Sequence, residues 1–321
     1  MTLNPQSIAV TSRAFSQNPI LREEILRRFH RVKFNDTGRQ LLESELLDFI
    51  KGSDAAIVSL EKIDHSLLEK SPDLKVISKY GVGLDNVDFE ALQKNNLKFS
   101  WVGGVNRRSV AELALSFMLL TLRKSYEANQ SLLKGTWKPL FGSQLTGKTV
   151  GIIGCGFIGK DLVQLLKPFE CKIRVYDIVR YDDFYRENNI EAMGLEDLLK
   201  ISDVVTLHLP LNKMTRGFMN KEKLDLLKVG AVLINTARGG LVDEVALKEK
   251  LEARNLSAAF DVFADEPARD LNLLNLPNFF STPHMGGSSE EAVLAMGRAA
   301  IEGLSKAMPI QEWLEQNQGV I

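Results

Sequence analysis

The stretch Val150–Gly159, VGIIGCGFIG, narrows the folds open to this chain more than any other. Gly154, Gly156 and Gly159 form a G-x-G-x-x-G run that follows an apolar, strand-like segment and opens a helical one. In that setting the first glycine permits a tight turn, the second lets backbone approach a pyrophosphate, and the third lets helix pack on strand. The helix N-terminus, where Phe157 and Ile158 stand, adds unpaired N–H groups and the positive end of a dipole. Asp177 closes the next strand-like run, RVYD, eighteen residues after Gly159 (177 − 159). A carboxylate there accepts from an adenosine ribose and repels a 2′-phosphate, so the pattern favours NAD. Arg180, three residues on, would soften the exclusion of NADP. The alternative is a structural turn with a surface aspartate.

Around this motif, short apolar runs alternate with helix-length stretches. Residues 7–12, 55–60, 74–79 and 97–102 read as strands, with helix-like segments at 19–29 and 40–51. A second series, 149–154, 172–177, 203–209, 231–236, 257–262 and 279–283, is long enough for a complete doubly wound sheet. The expected class is therefore α/β in two domains: a parallel Rossmann sheet over residues 103–287, and a smaller flavodoxin-like substrate domain of residues 1–102 plus 288–321. Between them, 106–124 reads as one long helix with Val110, Leu113, Ala114, Phe117, Met118 and Thr121 at helical spacing. Gly103-Gly104 and Gly286-Gly287 mark the two junctions and serve either as a hinge or as tight turns. After Ser288 an amphipathic helical tail is expected, with no further strand series.

Forty basic residues against 41 acidic ones give a net charge of −1, which gives no hint of nucleic acid or an anionic membrane as partner. Residues 1–15 lack the basic-then-apolar pattern of a signal peptide, and the apolar run 111–122 is too short to span a bilayer. Cys155 and Cys171 form neither a redox motif nor a zinc site, so no metal is expected and a cytoplasmic location is.

Reduction of a carbonyl by hydride needs a proton donor that titrates near neutrality, which directs attention to His30, His65, His208 and His284. His30 and His65 lie in polar stretches and read as surface residues. His208 ends a strand in LHLP, where it either packs or borders a cofactor. His284 follows Thr282-Pro283 at the end of the last strand run, and the carboxyl ends of such strands are where ligands bind.

Seven segments then carry a resemblance: KYGVGLDNVD (79–88), SVAELAL (109–115), GKTVGIIGCGFIG (147–159), LHLPL (207–211), INTARGGLVDE (234–244), AAFDVFADEP (258–267) and TPHMGGSSEEA (282–292). In this order they resemble the D-isomer-specific 2-hydroxyacid dehydrogenases, especially members like D-3-phosphoglycerate dehydrogenase. The resemblance implies NAD as cofactor, a small 2-keto or D-2-hydroxy acid as substrate, and a homodimer built on the long apolar helix. It carries a catalytic trio onto Arg238, Glu266 and His284. An arginine fork suits a carboxylate and a reacting carbonyl oxygen, and a glutamate beside an imidazole fixes its tautomer and favours its protonated form. It also implies that the Val82 and Gly83 amides hold the substrate carboxylate, with Asn106 beside them. Thr236, Ala237 and Arg238 would line the nicotinamide, and Asp261 would accept from its carboxamide. His208, Pro210, Thr215 and Gly286 complete the expected cofactor set.

Three positions depart from the family pattern. Gly103 stands where proline is usual, Trp101 where a small or polar residue is usual, and Lys79 where phosphoglycerate enzymes often carry arginine. Lys79 either meets the distal end of the substrate or is a solvated lysine at a strand terminus. The regulatory C-terminal module of longer phosphoglycerate dehydrogenases is absent from this sequence, so serine feedback is not expected. The competing function is a nucleotide-sensing interaction protein of the C-terminal-binding corepressor type, which shares the fold and the trio.

Overall fold

The computed structural model describes residues 5–317, so Met1–Asn4 of the segment read for a leader, and the last four residues of the tail, lie outside it. The strands run in chain order as β1 (Ile8–Val10), β2 (Val32–Phe34), β3 (Ala55–Val58), β4 (Val76–Lys79), β5 (Lys98–Ser100), β6 (Thr149–Ile153), β7 (Lys172–Tyr176), β8 (Glu191–Ala192), β9 (Val204–Leu207), β10 (Ala231–Asn235), β11 (Leu256–Phe260), β12 (Phe279–Ser281) and β13 (Met308–Pro309). They divide between two compact units, one of Met1–Asn106 with Gly287–Ile321 and the other of Arg107–Gly286.

In the first unit the sheet order is β13-β5-β4-β3-β1-β2. Without β13 this is the parallel 2-1-3-4-5 order of flavodoxin-like folds. β3 and β4 are buried at every position, as strands covered on both faces must be. One cover is the helix Glu290–Lys306, whose Met296, Ala300, Ile301 and Leu304 join Ile8, Val10, Leu21 and Ile57 in one apolar cluster. The opposite face carries Leu46, Leu68, Leu92, Phe99 and Trp313.

The tail does hold one more strand than the sequence suggested. β13 pairs antiparallel with β5, Met308 opposite Phe99 and Pro309 opposite Lys98. A proline is tolerated there because an edge strand need not donate on its open side.

In the second unit the order is β12-β11-β10-β9-β6-β7-β8, the parallel 3-2-1-4-5-6 order extended by one strand. The sequence missed β8 and, in the first unit, β2. β8 has only two residues and β2 only three, so neither establishes an alternation of its own. The long helix is Arg107–Leu122, and it buries Val110, Ala111, Ala114, Phe117, Met118 and Leu122. Leu113 and Thr121 of the expected apolar stripe are only half-buried. Among the described residues no helix is long and apolar enough to cross a membrane.

Candidate active site

The nucleotide loop connects β6 to the helix Phe157–Leu166. Gly154 adopts φ +93°, and a Cβ on it would stand 2.6 Å from the His208 carbonyl oxygen. Any side chain is excluded there by both backbone and neighbour. A Cβ on Gly159 would stand 2.3 Å from the Gly154 oxygen, so helix and turn touch through that residue. Gly156 differs: a Cβ there would meet nothing within 4 Å. Space is therefore kept at the middle glycine alone, at the N-cap of the helix, as a dinucleotide phosphate requires.

Asp177 follows β7 and sends one oxygen to this loop. Its Oδ2 accepts from the Cys155 N–H at 2.6 Å and its Oδ1 from Val179 at 2.9 Å. Phe157 is exposed and Ile158 half-buried at the start of the helix. Arg180 is held by Asp182, at 3.0 and 2.8 Å to one carboxylate oxygen. The Cys155 thiol is pushed up to about 12 by burial, with Asp177 adding to the effect.

Beyond β9, His208 shares a 3.0 Å hydrogen bond between its Nε2 and Thr206 Oγ1. Burial pushes its pKa down to about 3, so the ring is neutral at physiological pH. Its buried Nδ1 has no partner among the described residues. Pro210 is exposed. Thr215 uses its hydroxyl to close its own loop, donating to the Pro210 carbonyl at 2.6 Å and accepting from Asn212 N at 2.8 Å.

Three loops at the carboxyl ends of β10, β11 and β12 bring the ionisable residues together. After β10, Asn235 organises the turn: its Oδ1 accepts from Ala237 N at 3.1 Å and its Nδ2 donates to the Arg238 carbonyl at 2.9 Å. Arg238 Nη1 in turn donates to the Ala237 carbonyl at 2.7 Å. Asn235 was not singled out from the sequence, although an Asx residue followed by a sharp turn is a readable signal. Thr236 is buried, and its hydroxyl has no partner among the described residues. The Thr236 hydroxyl and the His208 Nδ1 are thus two buried polar atoms of the kind that a bound ligand can satisfy.

After β11, Asp261 is buried and fully engaged. Its carboxylate accepts from Thr282 Oγ1 at 2.5 Å, Met285 N at 2.8 Å and Gly286 N at 2.7 Å. Its own carbonyl accepts from His284 N at 2.8 Å. Asp261 thus ties the β11 and β12 loops together. The Gly286 carbonyl accepts from Ser109 Oγ at 2.6 Å, which fixes the far end of the same loop. His284 sits in this loop at φ +53°, a left-handed conformation that costs a non-glycine residue about 1–2 kcal/mol.

The imidazole Nδ1 of His284 lies 2.7 Å from Glu266 Oε2. Glu266 Oε1 accepts from the Phe263 N–H at 3.1 Å, and Glu244 steadies the next peptide by accepting from Ala264 N at 2.7 Å. Burial works against the charge on Glu266. The bond to His284, with the Phe263 N–H and the Arg238 charge, outweighs it and holds the carboxyl below its usual range. The bond to Glu266 likewise raises the His284 pKa, against burial and the Arg238 charge. Arg238, Glu266 and His284 are therefore electrically coupled.

In the other unit, the ladder of β4 ends with Tyr80 N donating to Val58 O at 2.8 Å, so Val82 and Gly83 lie in the loop beyond it. Asn106 is buried and its Oδ1 has no partner among the described residues. Lys79 is buried at 5% exposure and its ammonium donates to the Ser59 carbonyl, which removes the solvated-lysine reading. His30 is exposed. His65 is half-buried and pairs with Glu69 at 2.8 Å.

Residues 115–286, which hold the glycine loop and all three charged residues, match the family model described as D-isomer specific 2-hydroxyacid dehydrogenase, NAD binding domain. The chain belongs to the D-isomer-specific 2-hydroxyacid dehydrogenase family. It is 38% identical to D-3-phosphoglycerate dehydrogenase of Methanocaldococcus jannaschii over 90% of its own length and 56% of that protein's. It is 35% identical to hydroxypyruvate reductase of Thermotoga maritima over 93% of this chain and 99% of that one. Thus the chain spans about half of the first relative and nearly all of the second. Among solved structures, a glyoxylate reductase from Paecilomyes thermophila superposes with a TM-score of 0.84 at 25% identity, covering 96% of this chain and all of that one. The cofactor of this family is NAD, and the open position at Gly156 fits it.

Proposed function

We propose that the protein is an NAD-dependent oxidoreductase that interconverts a small D-2-hydroxy acid and its 2-keto acid. The observation that carries this reading is the His284–Glu266 hydrogen bond, set in a loop of strained backbone beside Arg238. The chemistry that NAD would supply is hydride transfer to or from the C2 carbon of the substrate. In reduction, His284 delivers a proton from Nε2 to the carbonyl oxygen, and in oxidation the same nitrogen takes the hydroxyl proton. Glu266 keeps the Nδ1 proton in place and stabilises the imidazolium. Arg238 orients the substrate through its carboxylate and the reacting oxygen. Thr236 and Ala237 would border the nicotinamide. Asp177 would meet the adenosine ribose, and its hydrogen bond from Cys155 N couples it to the phosphate loop.

The family resemblance assigns the substrate carboxylate to the Val82 and Gly83 amides, with Asn106 beside them, and gives Lys79 to its distal end. D-3-phosphoglycerate, hydroxypyruvate and glyoxylate are the substrates to test, because relatives carry those names. The test follows NADH at 340 nm, by its oxidation with glyoxylate, hydroxypyruvate and other 2-keto acids and by its formation from NAD with D-3-phosphoglycerate. Turnover of any of them supports the reading, and NADH binding with no turnover of any favours a sensing role.

A homodimer is part of the proposal. The segment after the long helix exposes Leu133, Trp137 and Phe141 at 73%, 87% and 91%, an apolar surface that a second copy would cover. Sedimentation of the wild type against Trp137→Ser/Phe141→Ser tests it, with a shift to monomer expected. The proposed compartment is the cytoplasm, where the free thiols Cys155 and Cys171 stay reduced.

A further inference from the structure

Among the described residues one hydrogen bond holds the Val82–Gly83 peptide: the indole Nε1 of Trp101 donates to the Val82 carbonyl at 3.1 Å. Carbonyl and N–H of one planar trans peptide point in opposite directions. Pinning the Val82 oxygen therefore also fixes where the Gly83 N–H points.

The indole doing the pinning is itself immobilised. Trp101 meets Trp313 edge-on, with ring centroids 6.0 Å apart. Trp313 is buried, stacked on Phe89 at 5.3 Å and edge-on to Phe99 at 5.0 Å. It belongs to the helix Ile310–Gln316, which follows directly on β13. A loop whose neighbour Gly81 adopts φ +103° would otherwise have little to select one peptide orientation. Here a four-ring aromatic cluster supplies a rigid lever ending in one N–H.

We infer that Trp101 is a positioning residue that presets the Gly83 amide for the carboxylate of the substrate. This rests on the reading above, in which Val82 and Gly83 hold that carboxylate. The Trp101 N–H is spent on the Val82 carbonyl and the indole carries no titratable proton, so its contribution falls on binding and not on the chemical step. Every 2-keto acid carries the same carboxylate, so the effect is independent of what lies at the distal end.

The test is Trp101→Phe, which keeps an aromatic ring against Trp313 and removes the donor. One hydrogen bond of this kind predicts a KM increase of roughly three- to tenfold for glyoxylate and hydroxypyruvate alike, with kcat and the KM for NADH within about twofold of wild type. An unchanged keto-acid KM would overturn the inference, as would an equal loss in kcat. A second readout needs no turnover: the Gly83 backbone amide resonance, followed by NMR in both proteins without ligand. It should shift and exchange faster with solvent in Trp101→Phe. If it does so while the wild type reduces no 2-keto acid, the positioning stands and the assigned reaction fails. If it does not move, the positioning fails whatever the reaction.

Discussion

His284 Nδ1 and Glu266 Oε2 stand 2.7 Å apart across eighteen residues of chain, and that hydrogen bond sets the direction of the protein's pH dependence. The bond raises the pKa of His284 above that of an ordinary imidazole and holds the Glu266 carboxyl below its usual range. In the proposed reduction the imidazolium is the proton donor, so activity is expected below the His284 pKa and is lost as pH rises through it. Glu266→Gln keeps the shape and removes the charge, so the pKa of His284 must fall and the loss of reductive activity must move to lower pH. Oxidation, which uses the neutral ring, should extend to lower pH in the same variant. The check is kcat/KM against pH in both directions. A shift toward higher pH would contradict the pairing.

The glycine loop separates binding from folding. Gly156→Ala adds a methyl group to open space and should leave the melting temperature within a few degrees of wild type, while weakening NADH binding at least tenfold as the methyl occupies the room left for phosphate. Gly159→Ala drives a methyl group to 2.3 Å from the Gly154 oxygen and should cost stability, about 1–3 kcal/mol. Thermal melts and NADH titrations of both variants check the contrast.

Asp177→Ala removes the proposed ribose acceptor, the repulsion of a 2′-phosphate and the support of Cys155 N–H at once. The ratio of kcat/KM for NADH over NADPH should fall roughly tenfold or more. Arg180 is occupied with Asp182, so it does little for NADPH until that pair is also broken. An unchanged ratio would leave Asp177 as a fastener of the loop.

Much of this arrangement was legible in the sequence because it is local. The strand before Gly154, the helix after it and the acid at the end of β7 all declare themselves within thirty residues or so. What was not legible depends on partners distant in sequence. β13 exists because Met308 and Pro309 find the edge of β5, and nothing in two residues announces that. The burial of Lys79 went unread because a lysine is expected outside, and its ammonium finds the carbonyl of Ser59 twenty residues upstream. Asp261 is the sharpest case. Its place at the end of β11 was readable, but its three donors from 282–286 lie in another loop. Thr215 shows the reverse, a hydroxyl in a promising loop that closes its own turn.

Lys79→Met keeps the aliphatic stem in its buried place and removes the charge. It should raise the KM for phosphorylated or dicarboxylic substrates by roughly tenfold and leave that for glyoxylate nearly unmoved. An equal loss on both substrate types would assign Lys79 to the fold of β4 and the Ser59 loop.

The central claim is that His284 moves the proton in an NADH-linked reduction of a 2-keto acid. The most direct measurement is the turnover of His284→Ala beside its affinity for NADH. The account predicts a loss of 10²–10⁴-fold in kcat, about the worth of general acid–base catalysis, with the NADH dissociation constant changed by less than about threefold. Near wild-type turnover in that variant would contradict it.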